Sequence, residues 1–182
     1  TFIEMSEDLE EPKFEILHEY KGFEIRKYVD TIQARVSSPD SEEVNSSIHF
    51  RQIANYIFGN NDKSQNISMT APVHTWNQNN ETLMAFTMPS KFKLSELPKP
   101  NGKNVQLINV EGKIVAVLKF SWFSGIAKTK KLTQKLQKLI RAEGLKQNGK
   151  PKLAIYDNPM TTLPFTRRNE IHLPIEWILK HP

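Results

Sequence analysis

The sequence predicts an α+β fold: an antiparallel sheet, curved or closed into a barrel, with two helices packed on it. Apolar residues alternate with polar ones in eight segments, as in half-buried strands, and recur at helical spacing in two others. The order strand–strand–helix–strand–strand occurs twice within 182 residues, a length typical of one domain. The chain therefore contains an internal duplication of topology.

The first unit follows a polar, acidic segment, 1–12, which we interpret as a flexible arm ahead of a single domain over 13–182. Its first two strands are expected to pair as a hairpin, and the polar run 77–80 joins its last two strands. The apolar residues of 50–57 recur at helical spacing and predict an amphipathic helix that begins near 38–41 and ends at Gly59. The predicted strands of this unit are 23–28, 31–36, 67–73 and 83–88.

The second unit repeats this plan after a connection rich in Pro, Ser and Lys, 89–103. Its first two strands are expected to form a hairpin across Glu111-Gly112. Leucines 132, 136 and 139 and Ile140 form the apolar stripe of a second helix, which Gly144 ends. The predicted strands of this unit are 105–110, 113–120, 153–156 and 171–178.

The composition argues against several classes of function. The chain contains no cysteine, so it has no disulfide, thiol nucleophile, thiolate zinc site or iron–sulfur cluster. It also contains no nucleophile elbow, no glycine-rich phosphate loop and no histidine pair at metal-ligand spacing. We therefore predict neither an enzyme nor a metal site. No segment approaches the ~20 apolar residues of a membrane span, so we expect a soluble protein, cytoplasmic or, after removal of a signal peptide, periplasmic.

The formal net charge is +5, and the cations concentrate on the second predicted helix, between Lys128 and Arg141. A solvated helix face is the simplest explanation, because the run is interleaved with leucines and lacks aromatic residues for base stacking. Binding to nucleic acid or to an anionic membrane surface is the alternative, and it would weaken steeply with salt. We expect a monomer without a specific nucleic-acid partner.

An apolar groove between the first helix and the sheet is the most promising place for a small ligand. Methionine suits such an adaptable surface, and the same residues also fit the core between helix and sheet. The candidate ligand-contacting residues are Phe50, Ile53, Tyr56 and Ile57 on the first predicted helix and Met69, Met84, Phe86 and Met88 on the predicted strands.

Two glutamates, Glu24 and Glu170, could act as a general acid and a general base if the fold brings them together in a cleft. The favoured interpretation is that they form ion pairs with Arg26, Arg167 or Arg168 on strand faces. Each of the five histidines stands alone in the sequence; His49 lies on the first helix, and His172 shares a strand face with Glu170.

Several motifs together resemble the SOUL heme-binding protein family in order and spacing, over almost the whole chain from about Pro12. No single motif is specific, but the ordered set is. The motifs are Phe23-Glu24-Ile25-Arg26-Lys27-Tyr28, Phe50 to Gly59, Ile67-Ser68-Met69-Thr70-Ala71-Pro72-Val73, Met84-Ala85-Phe86-Thr87-Met88-Pro89-Ser90, Leu97-Pro98-Lys99-Pro100 and Arg167-Arg168-Asn169-Glu170-Ile171.

The resemblance implies a distorted eight-stranded antiparallel β-barrel flanked by two α-helices. It also implies reversible, non-covalent binding of heme or another tetrapyrrole through the apolar surface at the first helix. Some members of the family are proposed to ligate iron through a histidine where this chain has Lys27, whose ammonium suits a heme propionate instead. Arg51 is a second propionate candidate. The expected ligand-contacting set is Lys27, His49, Phe50, Arg51, Ile53, Tyr56, Ile57, Met69, Met84, Met88 and Glu170. The alternative is an enzyme or binder that acts on another small hydrophobic molecule in the same groove.

Overall fold

The computed structural model describes residues 9–40, 46–157 and 163–178. This part of the chain contains ten strands, two α-helices and two short 3-10 helices, and the predicted α+β class is confirmed. The helices are α1 (Ser46–Ile57) and α2 (Ile126–Ala142), and the 3-10 helices are Leu94–Glu96 and Pro164–Thr166. The strands are β1 (Phe14–Tyr20), β2 (Phe23–Tyr28), β3 (Thr31–Pro39), β4 (Val73–Gln78), β5 (Glu81–Thr87), β6 (Gln106–Val110), β7 (Ile114–Phe120), β8 (Lys146–Gln147), β9 (Lys152–Ile155) and β10 (Asn169–Glu176).

All strands join one antiparallel sheet in the order β1-β2-β7-β10-β9-β4-β5-β3-β6, with β8 paired to β10. Strands β1 and β8 lie outside the eight predicted ones. Without these two strands, the order is β2-β7-β10-β9-β4-β5-β3-β6. If each of β2, β3, β4 and β5 is exchanged with β6, β7, β9 and β10 in turn, the same order is obtained in reverse. The predicted duplication is therefore a pseudo-two-fold arrangement, and β4 and β9 meet at its centre through Val73 to Thr75.

Both predicted hairpins between the first two strands of a unit are wrong. Strand β2 pairs with β1 and β7, whereas β3 pairs with β5 and β6. The chain thus crosses from one half of the sheet to the other at Val29-Asp30, and crosses back at Glu111-Gly112. A short connection suggests a hairpin when only local sequence is considered, but here each strand buries its apolar side chains against a different helix.

The two crossings touch each other, and Gly112 makes this contact possible. A Cβ atom at Gly112 would lie 2.1 Å from the Tyr28 carbonyl oxygen. The Gly112 amide donates to Asp30 Oδ1 over 2.7 Å, and the Tyr28 amide donates to the Lys113 carbonyl over 3.0 Å. The close approach of the two backbones therefore requires glycine.

The prediction of a strand over 67–73 is also wrong, because regular pairing starts only at Val73. Pro72 has no amide to donate to a ladder, and the Ala71–Pro72 peptide bond is cis. Upstream of it, Thr70 forms a single parallel bridge with Glu10, and the Ala71 amide donates to the Glu10 carbonyl over 2.9 Å. Residues 9–12 of the predicted flexible arm are thus in contact with the domain; residues 1–8 lie outside the described part.

Both helices end where the sequence predicts, in Schellman motifs with a left-handed glycine. Gly59 has a φ of 112° and Gly144 a φ of 72°. The amides of Asn60 and Leu145 donate to carbonyls five residues earlier, each over 2.9 Å. The predicted start of α1 near 38–41 is wrong for 38–40, because Ser38 and Pro39 are the last residues of β3, which pairs with β5 there. Residue 41 lies outside the described residues, and α1 is described from Ser46. Within the described ranges, no helix combines the length and the apolar character needed to cross a bilayer.

Both helices pack on the same face of the sheet. Under α1, residues such as Ile53, Tyr56 and Phe86 form one core cluster, and under α2 Leu136, Ile140 and Leu173 belong to a second. The opposite face is the inner side of the curl. Strand alternation places on it the polar side chains that the helices do not cover.

Candidate functional site

A buried polar cluster on the inner face joins β2 to β10 across β7. The two guanidinium nitrogens of Arg26 donate to the two carboxylate oxygens of Glu170 over 2.8 and 3.0 Å. Arg26 also pairs with Glu24 over 3.0 Å, and Lys119 reaches the same Glu24 oxygen over 2.8 Å. The favoured interpretation of both glutamates as ion-pair partners of Arg26 is therefore confirmed, and Arg168 adds a longer contact to Glu170 of 3.6 Å.

Glu170 is fully buried and makes two further contacts besides its ion pairs. The Tyr156 hydroxyl donates to it over 2.6 Å, and His172 Nε2 lies 2.9 Å from the same oxygen. Burial alone would raise the pKa of Glu170, but hydrogen bonds from His172 and Arg26 hold that pKa well below its usual value. A carboxylate with its pKa held this low is a poor general base.

Two histidines that stand far apart in the sequence meet on the inner face. His74 Nε2 lies 3.3 Å from His172 Nδ1, so the expectation that each histidine stands alone is wrong for this pair. Burial lowers the pKa of His172, and burial together with the adjacent His172 holds the pKa of His74 well below its usual value. Both rings are therefore neutral at neutral pH.

The hydrogen-bond chain assigns the tautomers of both rings. The Glu170 carboxylate can only accept, so the neutral His172 carries its proton on Nε2 and accepts at Nδ1. His74 must then donate from Nε2, which leaves a bare lone pair on its Nδ1. This nitrogen is buried and has no hydrogen-bond partner within the described part of the chain. A buried acceptor without a partner is costly to a fold, which marks His74 as a place where a ligand can contribute.

The same imidazole lines an inner cavity of about 310 Å³, to which both ends of the curled sheet contribute. Trp76, which lines the cavity, is in contact with two cations. The guanidinium carbon of Arg35 is 4.8 Å from the centroid of the indole ring, and Lys152 Nζ is 4.1 Å from that centroid. Burial, and then the charges of Arg35 and Lys113, lower the pKa of Lys152 to about 8. The cavity thus concentrates positive charge beside an aromatic surface. Its lining contains three cations, Arg35, Lys113 and Lys152, against one acidic residue, Glu111. The other polar and aromatic residues include Tyr28, Gln33, His74, Trp76 and His172.

A second cavity of about 260 Å³ lies where the segment at residues 10–13 meets the start of β3. Its lining includes Met88 from the predicted set, together with Ile32 and Phe92. No residue of α1 lines either of these two cavities.

The remaining predicted site residues fall into two groups. Ile53, Tyr56, Ile57, Met84 and Met88 are buried in the core cluster under α1, and Met69 packs against that cluster. The Tyr56 hydroxyl donates to the Pro98 carbonyl over 2.7 Å, so its polar end is already satisfied.

The second group lies nearer the surface. Phe50 is 43% exposed at the edge of α1 and packs against Phe86 at 5.4 Å between ring centroids. Arg51 and Lys27 are exposed. His49 is buried and lies 2.9 Å from the Ser38 hydroxyl, so it does not reach an open groove. The structure therefore does not bring the predicted set together with Glu170 around one opening.

The residues that line the inner cavity were not predicted, although the signal for part of them exists. If Val73 faces α1, strand alternation puts His74 and Trp76 on the opposite face. Nothing local indicates that Arg35 and Lys152 join them. Arg35 lies on β3, which β5 separates from β4, and Lys152 lies on β9, which pairs with β4 from about 80 residues further along the chain.

The fold and this site together define a duplicated α+β domain whose curled sheet encloses a cavity of small-molecule size. The family is shown by sequence: the model of the SOUL heme-binding protein family matches residues 9–174, nearly the whole described chain. The chain belongs to this family, which supports a heme-binding function in general. No curated protein sequence matches the chain at a significant level.

Solved structures share the fold at low sequence identity. An uncharacterized conserved protein from Listeria innocua has a TM-score of 0.63 at 11% identity, covering 85% of this chain and 92% of its own. The EcmrR C-terminal domain has a TM-score of 0.65 at 11% identity, covering 86% of this chain and 98% of its own. A hydrolase from Listeria innocua has a TM-score of 0.58 at 12% identity, with coverages of 88% and 94%. These likenesses show the fold alone.

Proposed function

We propose that this chain reversibly binds heme or a related tetrapyrrole, and that the inner cavity, rather than the groove at α1, receives it. The observation that carries the proposal is the combination of three cations, an indole and His74 around one cavity; the Nδ1 atom of His74 is buried and has no partner among the described residues. A tetrapyrrole offers carboxylates and an aromatic ring, which are the complements of those groups.

The residues present fit the periphery of such a ligand. Arg35, Lys113 and Lys152 would hold the carboxylates, and Trp76 would contact the ring. The cavity volume of about 310 Å³ is near the lower end of the range for ligand sites, so the macrocycle would extend past the exposed Val29 at the mouth. Heme, if bound, would supply an iron that can take a neutral nitrogen ligand. His74 would be the candidate for that role, because the hydrogen-bond chain keeps its Nδ1 free of a proton.

Glu170 acts as a positioning residue in this proposal. It holds His172 in the tautomer that accepts from His74, and it anchors Arg26 beneath the cavity. Because the histidine chain depends on hydrogen bonds rather than on a charged imidazole, it works at neutral pH.

The competing location is the outer surface of α1, where Phe50 and the exposed Arg51 would contact the ring and a propionate, with Lys27 as the further candidate on β2. The alternative ligand is another small hydrophobic molecule in the same cavity. Since Glu170 is a poor base, a binder is favoured over an enzyme for that alternative as well.

The test is a titration with ferric heme and with iron-free protoporphyrin, followed by absorbance and by tryptophan emission. Arg35→Met and Lys152→Met should each weaken both ligands by roughly tenfold or more, because each removes a charge-assisted contact. Phe50→Ser and Arg51→Gln serve as the matched pair at α1 and should leave both affinities unchanged. The opposite pattern would move the site to α1.

A third variant, His74→Gln, separates iron ligation from binding of the ring. It should change the absorption spectrum of the ferric heme complex and weaken heme more than protoporphyrin. Equal effects on the two ligands would refute iron ligation by His74, and failure of the wild-type chain to bind either ligand would refute the tetrapyrrole proposal.

A further inference from the structure

An exposed apolar patch lies beside the N-terminal end of α2, away from the inner cavity. It consists of five side chains from two chain segments, each more than half exposed: Trp122, Phe123, Ile126, Leu163 and Phe165. The rings of Trp122 and Phe165 are 6.3 Å apart between centroids, so the two segments form one surface. Single exposed apolar residues are ordinary, but a group of five large ones marks an interaction surface.

The patch is held in a defined shape. Trp122 has a φ of 73°, in the left-handed region that a bulky residue rarely adopts, and its carbonyl accepts a hydrogen bond from the Asn169 side chain over 3.1 Å. Next to it, Lys128 Nζ donates to the Ser121 carbonyl over 2.9 Å. These contacts present the indole to solvent instead of folding it into the core under α2.

The border of the patch is positively charged. Lys128, Lys130 and Lys131 are exposed on the first turns of α2, and the Arg167 guanidinium carbon lies 5.2 Å from the centre of the Phe123 ring. No Asp or Glu occurs anywhere from 113 to 142. The patch therefore combines an exposed apolar centre with exposed lysines and an arginine at its border.

From this combination we infer that the patch docks the protein on an anionic lipid surface. Tryptophan and phenylalanine insert at the boundary between headgroups and acyl chains, and lysines beside them contact the lipid phosphates and carboxylates. A second copy of the chain would bring the same lysines against each other. Nucleic acid is a poorer fit, because Ile126 and Leu163 have no ring on which a base can stack.

The experiment is co-sedimentation of the full chain with vesicles of phosphatidylcholine, with and without phosphatidylserine. Binding is expected only when phosphatidylserine is present, and it should fall steeply with salt. The double variant Phe123→Ser, Ile126→Ser should lower the partition coefficient by roughly tenfold or more, because each side chain contributes buried apolar area. Lys130→Gln with Lys131→Gln should also lower it, by roughly fivefold for each charge.

The matched controls lie in a different part of the chain, between α1 and β6. Phe58→Ser removes another exposed aromatic side chain, and Lys63→Gln with Lys103→Gln removes two other exposed lysines. These variants should bind like the wild type. Equal binding to both vesicle types, unchanged binding of the Phe123/Ile126 variant, or binding to DNA but not to vesicles would each overturn the inference. Heme binding should be unaffected by any of these changes, so the lipid test is independent of the tetrapyrrole test.

Discussion

Replacing Lys152 with methionine should stabilise the free protein at neutral pH while weakening its binding of an anionic ligand. Burial beside Arg35 lowers the pKa of this lysine from 10.5 to about 8. One pKa unit corresponds to about 1.4 kcal/mol, so the charged ammonium destabilises the folded state by about 3 kcal/mol below pH 8. Methionine keeps most of the apolar stem against Trp76 and carries no charge.

The sign of the pH dependence follows from linkage. The folded-state pKa is lower than the unfolded one, so the folded wild-type protein gains stability as pH rises from about 8 through 10.5. The gain is complete only well above pH 10.5, where the amine is neutral in both states. The stability advantage of Lys152→Met should therefore be about 3 kcal/mol near pH 7 and should fall to about 1 kcal/mol near pH 10.

Urea unfolding at these two pH values measures the difference. Lys27→Met, on an exposed position of β2, is the matched control and should change the free energy of unfolding by less than about 0.5 kcal/mol. If the stability gain is the same at both pH values, it comes from the packing of the methionine side chain and not from removal of the charge. If the variant is less stable than the wild type, the Lys152 ammonium makes a favourable interaction in the folded protein. Either result would refute the interpretation that the cavity keeps a destabilising positive charge in the free protein and uses it to bind an anionic ligand.

Two further variants test the inner cluster and the crossing. Glu170→Gln leaves the Arg26 charge without its bidentate partner and should cost about 3–5 kcal/mol in urea unfolding; since the pKa of Glu170 is lowered, the wild type should lose stability as pH falls below about 4.5, with a shallower loss in the variant. A comparable loss in both proteins would contradict this role. Gly112→Ala should cost more than about 2 kcal/mol, because its Cβ would clash with the Tyr28 carbonyl, whereas Gly102→Ala has open space and should be nearly neutral. Equal stability of the two alanine variants would show that the crossing can relax.

Local periodicity was sufficient to predict the helices and their ends. The apolar spacing of α2 and the glycines at 59 and 144 specify short-range hydrogen bonds, which depend on few neighbours. The turn between β4 and β5 was predictable for the same reason: Asn79 and Asn80 both have positive φ, which asparagine tolerates.

Strand pairing was predicted less well because it depends on the whole chain. Nothing near Tyr28 indicates that β2 pairs with a strand that begins 86 residues later, at Ile114. The candidate site was missed for the same reason. His74 and His172 are 98 residues apart, and each resembles an ordinary strand residue until β9 and β10 place them together. The groove at α1 was favoured because apolar side chains suggest both a core and a ligand surface, and here most of them form the core.

The crossing at Val29-Asp30 also has a consequence for how the protein is made. Strand β2 completes its ladder only with β7, and its apolar side chains, Phe23 and Ile25, are covered by α2, so both requirements are met only after more than 100 further residues have been synthesised. Neither repeat can close its half of the sheet alone, so an N-terminal fragment ending before β7 should be unable to fold and prone to aggregate. The long loops that must close before these contacts form also make slow folding the expected behaviour.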